Sequence, residues 1–203
     1  MIELDGDAVA HAPLARQVEA LEASVRGNPA ACVLMDRLPE LGLPSWYLGA
    51  GGVAQTVWNS LHGFEPTHGI SDYDVVFFDA SDLTESHEAA VEAEVLSLLD
   101  EHRANVDVTN EARVHLWYER RFGRPLTPYR SVEHAIANWP TTATSVGIRN
   151  HEHDVVVCAP FGLTDLFSMT VRANTTLIDR AIYETKTTRW RGLWPRLTVL
   201  PWP

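Results

Sequence analysis

Lysine and cysteine are both scarce in this sequence. Lys186 is the single lysine among 16 basic residues, and Cys32 and Cys158 are the only cysteines in 203 residues. Two cysteines without a Cys-x-x-Cys pattern exclude a disulfide scaffold, so we expect two reduced thiols. The sequence also lacks an apolar run long enough to cross a bilayer and an N-terminal segment with signal-peptide regions. These absences predict a cytoplasmic protein that makes no membrane contact.

Negative charge dominates the chain, but it is unevenly distributed. The sequence has 19 acidic and 4 basic residues up to position 110, and 8 acidic and 12 basic residues after it. A formal net charge of −11 makes long nucleic acids unfavourable partners. The arginine-bearing C-terminal part can still bind a small polyanion, because guanidinium groups match phosphate geometry. A solvated, arginine-biased surface accounts for the same composition.

The order of predicted elements indicates the α+β class. We expect a single domain over residues 1–203, with a core at about 45–110 and a C-terminal helical and hairpin part at about 111–203. A small mixed β-sheet would be covered by helices, with helix-rich N- and C-terminal additions. The periodicities predict helices at 13–26, 29–38, 53–61, 84–103, 110–122, 131–139, 162–174 and 176–193, and strands at 46–48, 72–79, 104–109, 142–149 and 154–159.

Two aspartates stand at the start of the strand segment DYDVVFFD. Asp72 and Asp74 are two residues apart, so their side chains project to the same face of a strand. Two neighbouring carboxylates repel each other, and a divalent cation such as Mg²⁺ between them removes that penalty. Asp107 lies within the apolar strand Val106-Asp107-Val108 and is the third candidate. If the two strands are adjacent, three carboxylates converge, enough for two metals about 3.5–4 Å apart.

A glycine turn precedes the helix upstream of these aspartates. Gly51 and Gly52 follow a short apolar strand and open the helical segment. Unpaired backbone N–H groups and the positive end of the helix dipole favour an anion there, and a missing Cβ allows close approach. We therefore expect Gly51 and Gly52 to bind phosphate.

The stretch LGAGG, the following helix, SDYDVVFFD and the later Asp107 together resemble the nucleotidyltransferase superfamily of the polymerase β fold. Longer stretches such as VDVTNEARVHLWY and APFGLTDLF resemble a bacterial nucleotidyltransferase-like group of unassigned substrate, over most of residues 28–203. The resemblance implies that Gly51 and Gly52 hold nucleotide phosphates, that Asp72 and Asp74 bind metal, and that Asp107 activates the incoming hydroxyl. The 19 residues between Gly52 and Asp72 are a longer spacing than is usual in the superfamily.

Other polar residues are weaker candidates for the site. We predict that Arg113, on a helix capped by Asn110, and Lys186, on the last helix, contact phosphate or substrate. Solvated faces explain both equally well. Asp79 and Asp82 indicate a strand-ending turn. The histidines at 62, 68, 151 and 153 are interpreted as loop or turn residues, and the tryptophans at 190, 194 and 202 as packing residues.

The favoured function is transfer of a nucleoside monophosphate from an NTP to an acceptor, with release of pyrophosphate. Mg²⁺ is the expected cofactor and Mn²⁺ is an alternative. The acceptor is left open among a small molecule, a protein and a tRNA end. Two other interpretations remain: a nucleotide-sugar-dependent glycosyltransferase that uses the Asp-x-Asp motif, and a nucleotide-binding module without catalysis.

Overall fold

The computed structural model describes residues 5–99, 104–152 and 154–203. None of the helices in these ranges is long and apolar enough to cross a membrane. The helices are α1 (Gly6–Ala10), α2 (Leu14–Arg26), α3 (Pro29–Arg37), α4 (Ala50–His62), α5 (Glu85–Ser97), α6 (Val114–Phe122), α7 (Val132–Ile136), α8 (Thr164–Phe167) and α9 (Arg180–Leu193). The strands are β1 (Tyr47–Gly49), β2 (Tyr73–Phe77), β3 (Val106–Asn110), β4 (Gly147–His151), β5 (Asp154–Cys158), β6 (Thr170–Val171) and β7 (Thr198–Val199).

A mixed five-stranded sheet organises the fold, in the order β3-β2-β1-β4-β5. Strands β2 and β3 run parallel, whereas β1 is antiparallel to both β2 and β4, and β4 to β5. The predicted α+β class with a small mixed sheet is therefore confirmed. The predicted hairpin is also present, because β4 and β5 pair from Gly147 with Cys158 to His151 with Asp154.

Strand β2 separates two faces of the sheet. Tyr73, Val75 and Phe77 point into the main core, which is formed with α3, α4 and α5. Val76 points to the other face, where it packs with Tyr47, Val132 and Ile136. Because side chains alternate along a strand, Asp74 shares the face of Val76 and not that of the main core. This alternation leaves a carboxylate on the sheet surface while the strand itself is anchored.

The C-terminal helix α9 is fixed to α4 by tryptophans. The rings of Trp190 and Trp194 each lie 5.5 Å from that of Trp58, in edge-to-face arrangements. The Trp194 indole donates a hydrogen bond to Asn59 Oδ1 at 2.6 Å. The tryptophans at 190 and 194 therefore pack the C-terminal part as predicted, and they hold one face of α9 over the sheet.

Several predicted elements differ from the structure, and the helices predicted at 110–122, 131–139 and 176–193 are the shorter α6, α7 and α9. Asn110 ends β3 and does not cap a helix, because its Oδ1 accepts hydrogen bonds from the N–H groups of Asp79 and Ala112. The helix predicted at 162–174 is limited to the single turn α8, since Thr170-Val171 pairs with Thr198-Val199 in a parallel two-stranded sheet. The strand predicted from 142 begins only at Gly147, because a turn precedes it in which Ser145 N–H donates to Thr141 O.

Helix α5 is also shorter than predicted, since it ends at Ser97. The last residues of the predicted helix, 100–103, lie outside the described ranges, as does His153 of the predicted turn.

Candidate active site

The register of β2 and β3 places two of the predicted carboxylates side by side. Asp74 pairs directly with Asp107 in the parallel ladder, and Asp72 lies just before β2. All three residues line the same cavity. The condition on which their convergence depended, adjacency of the two strands, is confirmed.

The cavity lies on the sheet face that carries Asp74 and has a volume of about 890 Å³. This volume is within the usual range for ligand sites, about 300–1,000 Å³. Its walls come from the first turn of α4, from α5, α6 and α9, and from the segment that follows α7. The charged residues that line it are Asp72, Asp74, Glu85, Glu88, Glu92, Asp107, Glu111, Arg121, Lys186 and Arg189.

The carboxylates interact strongly through space. Desolvation, together with the charges of Asp72 and Asp107, raises the pKa of Asp74 to about 7. The charge of Lys186 and a hydrogen bond from the Gly51 N–H partly oppose this rise. Burial and the charge of Asp72 also raise the pKa of Asp107, and Arg121 lowers it. Negative charge is thus concentrated at this end of the sheet beyond what the local cations neutralise.

The donor chemistry of the three aspartates fits a hard divalent cation. Within residues 5–99, 104–152 and 154–203, no group of three or more His, Cys, Asp or Glu side chains is close enough to hold a metal ion by itself. Mg²⁺ usually binds through one or two carboxylates, with substrate phosphates and water completing its shell, so a protein cage is not required. A cation there would also offset the repulsion that raises the pKa of Asp74.

The first turn of α4 points at these carboxylates. Ala50 has φ 50°, a left-handed conformation that is uncommon outside glycine, directly before Gly51. No side chain caps this helix, and the Gly51 N–H lowers the pKa of Asp74 by favouring its ionised form. The first turn of α4 and Asp74 therefore face the same cavity, which both Gly51 and Asp74 line.

The comparisons with known proteins agree with this geometry. Residues 36–199 match the profile of the family described as Nucleotidyltransferase. The chain belongs to the nucleotidyltransferase family. A solved structure, whose title says that it "reveals a CCA-adding enzyme head domain", superposes with a TM-score of 0.73 and 24% identity, covering 97% of this chain and 100% of that chain. At that identity the likeness shows the fold. A search of curated proteins found no match.

Glycine is present at positions 51 and 52 of this nucleotidyltransferase for different structural reasons. A Cβ on Gly51 would lie 2.9 Å from Gln55 Nε2, the end of a flexible side chain. A Cβ on Gly52 would lie 3.1 Å from Asp72 O and 3.2 Å from Tyr73 Cα, which are backbone atoms. Gly51 lines the cavity, whereas Gly52 is buried beneath the start of β2. Gly52 therefore supports the aspartates from below, which differs from the predicted contact with phosphate.

Alanine substitutions should separate these two roles. We expect Gly52→Ala to lower the free energy of unfolding by about 1–3 kcal/mol, because the backbone that carries Asp72 must move. Gly51→Ala should change it by less than about 1 kcal/mol, because Gln55 can reorient. Urea denaturation of both variants measures the difference, and equal losses would contradict this account.

Arg113 does not take the predicted place in the site. Its guanidinium is buried, pairs with Glu88 and lies 3.5 Å from Glu85, and its Nε donates to Leu83 O at 3.2 Å. Arg113 is not among the residues that line the cavity. The structure therefore corrects its predicted phosphate contact: Arg113 lies in the turn after β3 and forms an ion pair with α5.

Lys186 lines the cavity that the three aspartates share. It lines the cavity from α9, one turn before Arg189, and its charge acts on Asp74. The ion pairs found in the described residues do not include Lys186. Arg189 also lines the cavity and donates to Gly69 O at 2.8 Å. Two cations thus face the Asp72–Asp74 end of the cavity.

Glu111 is a site residue that sequence reasoning did not identify. It is 5% exposed, yet it lines the cavity. Desolvation raises its pKa to about 8; a hydrogen bond from Trp139 opposes the rise, and the charges of Asp74 and Asp107 add to it. Its spacing from Asp107, four residues along one strand face, was the available signal. That signal was missed because NEARVHLWYERRF was interpreted as a helix from its first residue.

Glu111 should give the stability of the protein a distinctive pH dependence. Its folded-state pKa of about 8 lies above the ordinary value of 4.5, so between these values the folded state keeps a proton that the unfolded state has lost. Its contribution is complete below pH 4.5 and is lost as the pH rises to about 8. The raised pKa of Asp74 lowers the stability in the same direction as the pH rises from 3.8 to about 7.

We therefore expect the free energy of unfolding to fall over this range, by up to about 1.4 kcal/mol per pH unit for each group. Urea denaturation at several pH values should show a shallower fall for Glu111→Gln. Parallel curves for the variant and the wild type would contradict the assignment.

Proposed function

We propose that this nucleotidyltransferase moves a nucleoside monophosphate from an NTP to an acceptor hydroxyl or amine with Mg²⁺, releasing pyrophosphate. The pairing of Asp74 with Asp107 in β2 and β3, with Asp72 at the same end of the sheet, carries the proposal. Family membership supports nucleotidyl transfer in general. The carboxylates and cations that line the cavity support an NTP as donor and Mg²⁺ as the metal.

Each side of the cavity has a part in this reaction. Asp72 and Asp74 would hold the ion, which when bound orients the triphosphate and neutralises charge on the transferred phosphoryl group. Lys186 and Arg189 are placed to bind the phosphates on the α9 side. Asp107, on the edge strand β3, would accept a hydrogen bond from the acceptor hydroxyl and take its proton as attack begins. Positioning of the two reactants accounts for most of the rate.

The acceptor is a separate question. The solved structure with the same fold is titled a CCA-adding enzyme head domain, which would suit a tRNA end. At 24% identity that likeness does not carry the substrate across. A small molecule or a protein fits the net charge of −11 better than a long nucleic acid does.

Pyrophosphate release tests the proposal against its two alternatives. We expect binding of ATP, GTP, CTP or UTP only with Mg²⁺ or Mn²⁺, and slow pyrophosphate release that an acceptor accelerates. Hydrolysis of UDP-sugars without use of NTPs would favour the glycosyltransferase instead. NTP binding that is independent of any divalent ion and yields no pyrophosphate would favour a binding module.

Substitution of Lys186 should test phosphate binding without disturbing the fold. We expect Lys186→Gln to weaken Mg²⁺–NTP binding about tenfold, the usual effect of losing one charge-assisted contact to phosphate, without change in thermal stability. Arg180→Gln is the matched control, since Arg180 lies on the same helix and pairs with Glu184 outside the cavity. Isothermal titration calorimetry measures both affinities. Equal effects would show only a change in overall charge.

A further inference from the structure

Glu111 lines the cavity together with the aromatic residues Tyr118, Tyr129 and Trp139, and we call this part of the cavity the Glu111 pocket. Trp139 lowers the pKa of the Glu111 carboxyl, and the charge of Glu111 raises the pKa of Tyr129, after desolvation as the main cause. The Tyr118 hydroxyl donates to Leu177 O at 3.0 Å. Glu111, which is 5% exposed, therefore borders a cavity that three aromatic side chains also line.

Among the described residues, no cation is paired with this buried carboxyl. The nearest arginine in sequence, Arg113, is used by Glu85 and Glu88. None of the ion pairs found in the described ranges contains Glu111. Ionisation of a buried carboxyl without a positive partner destabilises the folded protein, so Glu111 keeps its proton to a higher pH, and a cationic ligand would remove that cost. A ligand group that would pair with the Glu111 carboxylate carries positive charge and N–H donors.

The pocket lies on the acceptor side of the proposed site. Strand β3 presents Asp107 and Thr109 to the cavity, and Glu111 continues the row, four residues or about 13 Å of strand beyond Asp107. Its N–H extends the ladder by donating to Phe77 O at 2.8 Å. Lys186 and the first turn of α4 act on Asp74 instead. The phosphates and the Glu111 pocket are therefore at different ends of the carboxylate row.

We propose that Glu111 and the rings of Tyr129 and Trp139 bind an amino or amidine-like cationic group of a small acceptor. The inference rests on the proposed function, because Asp107 marks the acceptor side only if nucleotidyl transfer occurs there. An ionised carboxylate can accept two N–H hydrogen bonds from such a group, and aromatic faces attract cations.

The charge of the cavity agrees with a cationic acceptor. Among the described residues, seven acidic side chains line it against three basic ones, two of which, Lys186 and Arg189, are on the proposed phosphate side. Glu85, Glu88 and Glu92 form one stripe of α5, and because Arg113 is shared by Glu85 and Glu88, the stripe keeps a net negative charge along the wall. An anionic acceptor would meet like charge along this wall, whereas an ammonium or amidinium group would be attracted.

Benzamidine is a suitable probe, because it joins a flat ring to a cation with two parallel N–H donors. Its binding to the full-length protein can be followed by NMR, through the indole N–H resonance of Trp139, without nucleotide or metal. We expect saturable binding that benzyl alcohol does not reproduce. Glu111→Gln should weaken it about tenfold or more. This variant replaces the protonated acid by a group of nearly the same shape, so it is expected to fold.

Glu92→Gln is the matched control, since Glu92 lines the same cavity without belonging to the pocket. It should weaken the binding of benzamidine less than threefold, because only the overall negative charge of the cavity is reduced. Equal effects of the two variants, or no shift of the Trp139 resonance, would overturn the proposal.

A second titration separates this inference from the proposed function. We expect benzamidine to bind equally well when Mg²⁺ and a non-hydrolysable ATP analogue saturate the protein. Displacement by the analogue would assign the pocket to the nucleobase and overturn the acceptor assignment. Failure of the analogue to bind at all would contradict the proposed function, while benzamidine binding would still report on the Glu111 pocket itself.

Discussion

Replacement of Asp74 by asparagine is expected to abolish Mg²⁺-dependent NTP turnover, with a loss of about 10³-fold or more. Asp74 pairs with Asp107 in the parallel ladder, and the charges of both Asp72 and Asp107 act on it. Asparagine keeps the shape but not the charge that would hold the ion. Because the native carboxyl is desolvated and repelled by two neighbours, thermal stability should be unchanged or higher. Pyrophosphate release and thermal melts measure the two effects.

Asp82→Asn is the control for this substitution. Asp82 caps the turn after β2, where its carboxylate accepts from the N–H and hydroxyl of Thr84. It does not line the cavity, so its loss should leave turnover unchanged. Undiminished turnover in Asp74→Asn, or an equal loss in the two variants, would remove Asp74 from the mechanism.

Replacement of Arg113 by alanine is expected to lower the free energy of unfolding by about 3–5 kcal/mol. The Arg113 side chain is 6% exposed and pairs with Glu88, which is itself 19% exposed. Without the arginine, Glu88 is left as a largely buried carboxylate beside the end of β3, where it also accepts from the Asn110 N–H. Urea denaturation measures the loss.

Arg172→Ala provides the comparison, because Arg172 forms an exposed ion pair with Asp165. Its loss should reduce stability by at most about 1 kcal/mol. The NTP affinity of folded Arg113→Ala should equal that of the wild type. Weakened NTP binding with unchanged stability would instead support a phosphate contact from Arg113.

The strand pattern that carries Asp72 and Asp74 could be predicted because it is local. In DYDVVFFD the alternation fixes the face of Asp74, and the apolar residues that follow require a buried strand. Asp107 could be identified as an isolated charge between two valines. Its pairing with Asp74 required only that neighbouring strands be adjacent. The glycine turn before α4 followed from the strand, glycine and helix order in the same way.

The remaining site residues depend on contacts that a local pattern does not encode. Arg113 pairs with Glu88, 25 residues away, so its direction could not be read from its own helix. Glu111 was hidden because β3 continues through Asn110, and α6 begins only at Val114. The requirement for glycine at position 52 is likewise a tertiary one, because Gly52 packs against the backbone of Asp72 and Tyr73. The β6–β7 pairing joins segments 28 residues apart, and helical periodicity concealed it.

The most direct test of the account is a crystal structure with Mn²⁺ and a non-hydrolysable NTP, collected so that manganese gives anomalous signal. We expect an anomalous peak about 2.0–2.3 Å from carboxylate oxygens of Asp72 and Asp74, with triphosphate oxygens completing the shell and Lys186 facing the phosphates. A peak elsewhere in the molecule, or a nucleotide bound away from these aspartates, would contradict the central claim.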